Sequence, residues 1–519
     1  MIREGELAPR AAGTYGYLLH SVGTAATLAP RAQQLYPNHD TTVLGYLGGT
    51  RGRRSSALMR SWPRRSAPAA RNMRRSLSGY PFAEVHRPGA TVPGHRRGAY
   101  LGEEECLVDL EEAWTIGARA RMIRRRRGLS LEVVAGLAGI TAQYLSMLER
   151  GLRGFNRRGL IEDLAEALGC SVADLTGQPY PAPDRATIEG RAALPGISLA
   201  LNDFGPDDVP DITPRPLDEL VAWADSANEH RDQGRWALAG RDLGTLLTEL
   251  QAHALTAGSA DRDRTFTALV QSCILAGDVA KALAGNIDLV ISAARRGYDM
   301  ACRHGDPGLI GFAQWRWSLP LIWLTARGRA SRLLTVGIDE LGRSVHLRSE
   351  TTLPAEMLGM MHLAAAQCAA RSKQSDDARM HLAEAEGIAA RIGECNGMRM
   401  HFGPTNVTVW RLGIGVEMGE GGHAYEVSTR TPPDMAVLNS NDRASALHFD
   451  LARALVQDGP NRDAEAIRHL DTADRLAPTR IRNDPIARDL VVTLDRRARR
   501  RVWELDSLGN RFGIRSARA

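Results

Sequence analysis

At 519 residues the chain exceeds what one hydrophobic core organises, so more than one structural unit is expected. Hydrophobic residues make up 43%, charged residues 24% and aromatic residues only 5%, which excludes a low-complexity chain and points to helical cores packed from Leu, Ala, Ile and Val. The net charge of +6 is unevenly placed: the first hundred residues carry more positive charge than the whole chain, so basicity alone is weak evidence for a nucleic-acid partner.

Nearly all of the 66 basic residues are Arg, with Lys only at Lys281 and Lys373. The six cysteines, Cys106, Cys170, Cys273, Cys302, Cys368 and Cys395, are scattered without a C-x-x-C pair, so reduced thiols are expected and neither a metal nor a disulfide. No uninterrupted apolar run approaches the roughly 20 residues of a membrane span. The stretch from Ala11 to Pro30 is moderately apolar, but Tyr15, Tyr17 and His20 dilute any likeness to a signal peptide. A cytoplasmic location without membrane contact is expected.

In chain order, residues 1–105 are rich in Arg, Gly, Pro and Ser without helical or strand periodicity, and read as a disordered segment. Such a segment is either a basic arm adding non-specific DNA affinity or translated upstream sequence without a selected role. Short amphipathic helices begin abruptly at Leu107 and define a compact unit over 107–177. Residues 178–216 carry eight prolines, from Pro179 to Pro216, and read as a linker. Helix after helix is expected over 217–508, and 509–519 is a tail.

Within the compact unit, helices are predicted over Glu111–Arg127, Leu131–Ala138, Ala142–Arg150, about Leu160–Leu168 and Val172–Leu175. Ser130, Thr141 and Ser171 stand where N-caps belong, their side-chain oxygens placed to accept amide hydrogens of the following turn. Val134, Ala138, Ile140, Leu145 and Leu148 supply the inward face. Ala135 is small where the second and third helices cross, and Gly139 sits where the turn needs a left-handed backbone.

These residues resemble the Xre family of bacterial regulators, which share their DNA-binding domain with the lambda-type phage repressors. The match runs from Ile116 through Leu175 and includes Arg127-Gly128-Leu129-Ser130, Gly139-Ile140-Thr141, Tyr144-Leu145-Ser146 and Leu148-Glu149-Arg150-Gly151. The resemblance implies that the helix from Ala142 to Arg150 enters the major groove of double-stranded DNA with Thr141, Ala142, Gln143, Ser146 and Met147 facing the bases. Gln143 is the strongest base reader, since its amide pairs bidentately with adenine. Tyr144, Arg150, Arg153, Arg157 and Arg158 are expected at phosphates. The resemblance also pairs Arg124 with Glu149 as a structural link between the first and third helices. Two departures are Leu131, where the family often places a phosphate-binding Gln, and the loop after Gly151, which lacks the frequent Pro.

Further along, Ala444–Leu455, the Gly459-Pro460 turn, Ala464, Ile467, Leu470, Ala473, Leu476 and Pro478 resemble a tetratricopeptide repeat. A weaker copy runs from Leu358 through Ile388, and Trp236-Ala237-Leu238-Ala239 marks an eroded start of another. Trp315, Trp317, Trp323 and Trp410 are either core or the lining of a ligand groove. The glycines of Gly413–Gly419 lack nucleotide-loop spacing, and no acid–base, nucleophile or metal constellation converges, so neither an enzyme nor a cofactor is expected.

The expected fold is all-α: a lambda-repressor-like helix-turn-helix domain followed by a tetratricopeptide-like α-solenoid. The expected function is a sequence-specific transcriptional regulator, acting as a homodimer, whose repeat domain takes a peptide, small-molecule or protein ligand. The alternative is an interaction scaffold with weak or vestigial DNA binding.

Overall fold

In the computed structural model, residues 115–514 are described except 182–183, 257, 346–350 and 501. The expectations for residues 1–105, for Cys106 and for the first turn of the helix at Glu111 lie outside the described residues. Helix α1 spans Ile116–Arg126, α2 Leu131–Leu137, α3 Ala142–Glu149, α4 Arg158–Leu168 and α5 Val172–Thr176. The expected caps are all in place: Ser130 accepts from the Val133 amide, Thr141 from Tyr144, and Ser171 forms a reciprocal capping box with Asp174. Thr115, which the sequence reading passed over, caps α1 by accepting from the Ala118 amide at 3.2 Å.

The proline-rich stretch expected as a linker contains two short helices, α6 (Arg185–Arg191) and α7 (Leu194–Asn202). The physical reason is positional. α6 fits between prolines, and Pro195 occupies the first turn of α7, where its missing amide costs nothing.

Beyond it the chain is helical throughout: α8 (Leu217–Asp232), α9 (Trp236–Ala239), α10 (Leu243–Thr256), α11 (Arg262–Ala284), α12 (Ile287–His304), α13 (Pro307–Trp323) and α14 (Arg327–Ser344). Then come α15 (Leu353–Arg371), α16 (Ser375–Ile392), α17 (Pro404–Met418), α18 (Gly421–Arg430), α19 (Met435–Leu438) and α20 (Asn441–Asp458). The last four are α21 (Asp463–Leu476), α22 (Pro478–Arg482), α23 (Pro485–Arg497) and α24 (Trp503–Phe512), so the expected tail is helical as far as Phe512. Each helix packs chiefly on its neighbours in sequence, most extensively α11 on α12, α15 on α16 and α20 on α21, which is the signature of a solenoid. The last two pairs coincide with the repeats read from the sequence, whereas the eroded repeat at Trp236 is the single turn α9. α11 is long and apolar enough to cross a membrane by length and composition, and 78% of that stretch is buried inside the fold.

The array returns on itself. Asn483, after α22, donates to the carbonyl of Ala282 in α11 at 2.9 Å, and Ser440 donates to the carbonyl of Asp232 at the end of α8 at 3.2 Å. Two cores result. One runs from Ile197 to Ile414; the other joins the residues of α1–α5 to those of the array from Val409 to Phe512.

Two histidine pairs occupy corresponding places in the two best repeats: His362 and His381 meet Nδ1 to Nδ1 at 3.1 Å across α15 and α16, and His448 and His469 at 2.9 Å across α20 and α21. Burial, with the neighbouring imidazole adding to it, pushes His362 and His469 down to about 4. A histidine depressed in the folded state contributes stability above its unfolded value of about 6.5 and loses it as pH falls through its folded value. Stability should therefore decline between about pH 6.5 and 4. Thermal unfolding of a His362→Gln, His469→Gln double variant should show a flatter acid limb over that window; an unchanged limb would refute the assignment.

Candidate nucleic-acid interface

The site is built on α2 and α3, whose axes are bent by 105° across the intervening turn, within the range of a helix-turn-helix. Gly139 closes that turn with a φ of +64°, a conformation that a side chain strains, as its place in the sequence predicts. Gly117 lets α1 approach α3 closely: a Cβ there would stand 2.0 Å from the carbonyl oxygen of Leu148.

Arg124 and Glu149 make the expected pair, bidentate at 2.6 and 2.7 Å, while a third nitrogen of Arg124 reaches the carbonyl of Leu129 at 3.0 Å. The hydrogen bonds to Glu149 raise the Arg124 pKa against the opposing effect of burial. The pair locks α3 to α1 and so fixes the angle at which α3 is presented.

Thr141 and Gln143 are exposed on the first turn of α3, and Ala142, Ser146 and Met147 are half-buried along the same helix. Arg150 and Arg153 are exposed, Arg150 folding back on the carbonyl of Ser146 at 3.2 Å. Tyr144 and Arg157 line a shallow groove shared with Arg497 of α23.

Arg158 departs from its expected place at a phosphate. Its guanidinium is paired with Asp484 and its backbone amide donates to Glu417 at 3.1 Å. The cause is the docking of α4 against the array, which brings carboxylates of α17 and of the start of α23 to the N-terminus of α4, where negative charge is favoured. Around this point Phe155 donates its amide to Asp489 at 2.7 Å, Gly159 donates to Glu417 at 3.2 Å, and Arg453 donates to the carbonyl of Asn156 at 2.9 Å. Burial alone would push the Glu417 carboxyl up, but Arg453, Arg371 and Arg158 outweigh it and hold it at about 2. On the other side of α4, Glu162 pairs with Arg371 at 2.8 Å and Asp163 with Arg327 at 2.6 Å.

Two basic residues that the sequence reading missed flank the motif. Lys373 donates to the carbonyl of Ala138 at 2.9 Å, at the C-terminal end of α2, and Arg496 lies against Gly151. Both come from the array, more than two hundred residues away in sequence, where no local pattern reports them.

Two helices at this angle, a capped and exposed third helix, and a clamp holding it define a helix-turn-helix DNA-binding protein. The family model described as a helix-turn-helix domain matches residues 115–176. An uncharacterized HTH-type transcriptional regulator of Sinorhizobium fredii, y4dJ, is 43% identical over 60 residues, which cover 12% of this chain and 77% of that protein. The chain belongs to the HTH-type transcriptional regulators. Among solved structures, that of Bacillus thuringiensis PlcR in complex with the peptide PapR7 and DNA is similar at 12% identity and a TM-score of 0.23, over 54% of this chain and 95% of that one.

Proposed function

We propose that the protein is a cytoplasmic, sequence-specific regulator that reads its operator as a homodimer and is controlled by a ligand held in the helical array. The observation that carries this reading is the joint between the two parts: the rear of the reading unit, at α4, shares its core and its ion pairs with α17, α20 and α23. A change in the array is therefore transmitted to the position of α3 without an intervening flexible segment. Gln143 reads an adenine, with Thr141, Ala142, Ser146 and Met147 beside it at the base edges, while Tyr144, Arg150, Arg153 and Arg157 hold phosphates. A single unit of this size makes few base contacts, so two half-sites about one helical turn apart supply the selectivity.

Footprinting on the gene's own upstream DNA tests this reading. Protection should cover two half-sites, and Gln143→Ala should relax preference at one base pair, costing roughly 1 to 3 kcal/mol. Arg153→Ala should weaken all sequences alike and lower the salt slope by about one. Equal losses on specific and random DNA for Gln143→Ala would refute the docking.

A further inference from the structure

Closure of the array leaves a cavity of about 760 Å³ between α8, α11, α13, α17, α20 and α22, with α4 forming part of its wall. That volume lies in the range of sites for small organic molecules. The lining combines indole rings with charge. Lys281 stands over the ring of Trp323 at 3.4 Å, and Trp236, Trp315 and Trp410 share the same wall.

Its lining carries nine Arg and Lys against eight Asp and Glu, and two of the cations stand apart from the rest. The arginines of the lining other than Arg443 each meet a carboxylate, as Arg316 meets Asp278 and Arg480 meets Asp442. Lys281 and Arg443 have no carboxylate partner among the described residues. Burial lowers Arg443 to about 10, with Arg480 adding to it and Asp442 and Asp450 acting against it; Lys281, an exposed residue, is lowered by desolvation and by Arg158 and Arg480 against Asp278 and Asp484. Lys281 and Arg443 are thus the two cations of the lining that no ion pair meets among the described residues, and an anion would supply that partner.

Hydrogen bonding points the same way. Among the described residues, the buried indole nitrogens of Trp236, Trp315 and Trp410, with Nε of Arg371 and of Arg443, are donors without a protein acceptor, against two unpartnered atoms of the lining that can accept, Oδ1 of Asp442 and Nε2 of His401. Trp315 is only 2% exposed, so its N–H has little recourse to bulk water. These donors are shielded from solvent, so an occupant that supplies acceptors reaches them where the lining adjusts around it.

We propose that this cavity binds a small anionic molecule with an acceptor-rich head, carboxylate, sulfonate or phosphate, and a flat apolar body. Lys281 and Arg443 take the head, and the half-buried rings of Trp323 and Trp410 take the body by stacking. The inference rests on the regulatory reading above and names the chemistry of its ligand. Arg158 and Glu162 of α4 line the same cavity, so an occupant touches the rear of the reading unit.

The test is calorimetric titration of the full chain, without DNA, with three probes of one shape: naphthalene-2-sulfonate, the neutral 2-naphthalenemethanol and the cationic 2-naphthylmethylammonium. The sulfonate should bind saturably with one-to-one stoichiometry and at least ten-fold tighter than the other two. Lys281→Met and Arg443→Gln should each weaken it ten-fold or more and leave the neutral probe unchanged. Should either variant fail to fold, the charge series on the unaltered protein still decides. Equal affinity for all three probes, or sulfonate binding indifferent to both substitutions, would overturn the proposal. Footprinting with and without the sulfonate separates the two ideas: sulfonate binding with unaltered protection keeps the site and removes its regulatory role.

Discussion

Glu417→Ala should destabilise the protein by about 3–5 kcal/mol, because it leaves Arg453 buried without its partner and takes the acceptor from the amides of Arg158 and Gly159. The transition lost first should be the one that reports docking of α1–α5, followed by proteolysis in the loop around Phe155. Glu417→Gln retains an acceptor and should cost less. It also tests the linkage. A carboxyl held at about 2 contributes stability that is present above its unfolded value of about 4.3 and is lost as pH falls toward 2. The Gln variant should lack that part of the acid limb. Denaturant unfolding at pH 7 that is indistinguishable from the unaltered protein for Glu417→Ala would show that the network does not hold the joint.

Residues 107–180 expressed alone should unfold at markedly lower temperature and bind DNA at least ten-fold more weakly than the full chain. Excision uncovers Phe155, Leu160 and Ile161, which are nearly fully buried in a core completed by the array. Large apolar side chains of this kind are worth roughly 1.5–3 kcal/mol each when buried, so losing part of that cover removes several kcal/mol from a unit of marginal size. It also leaves Glu162 without Arg371 and Arg327. Thermal denaturation and a gel shift on the same operator decide the matter: an excised unit that melts and binds like the full chain would mean that the joint contributes nothing.

The reading unit was legible in the sequence because its signals are local. Ser130, Thr141 and Ser171 cap helices within three residues of themselves, and Gly139 answers a turn of its own two helices. The Arg124–Glu149 clamp, 25 residues apart, came from family likeness rather than from spacing. The joint was not legible. Arg158 reads as a phosphate contact in a basic loop, and its partner Asp484 lies 326 residues downstream. Trp317 was grouped with Trp315 and Trp323, yet it packs against Tyr298 at 5.2 Å beneath Arg295, away from the cavity. Helical position separates Trp315 from Trp317, but the direction of the cavity depends on how the array closes, which no single helix encodes.

The span of the joint also bears on synthesis. Phe155 and Asp489 are 334 residues apart, a distance that a ribosome moving at roughly 5–20 residues per second covers in tens of seconds. Throughout that interval the nascent reading unit exists without the helices that complete its core. A chain broken off before Arg327 carries the DNA-binding unit without the ion-pair partners that α4 finds in the array.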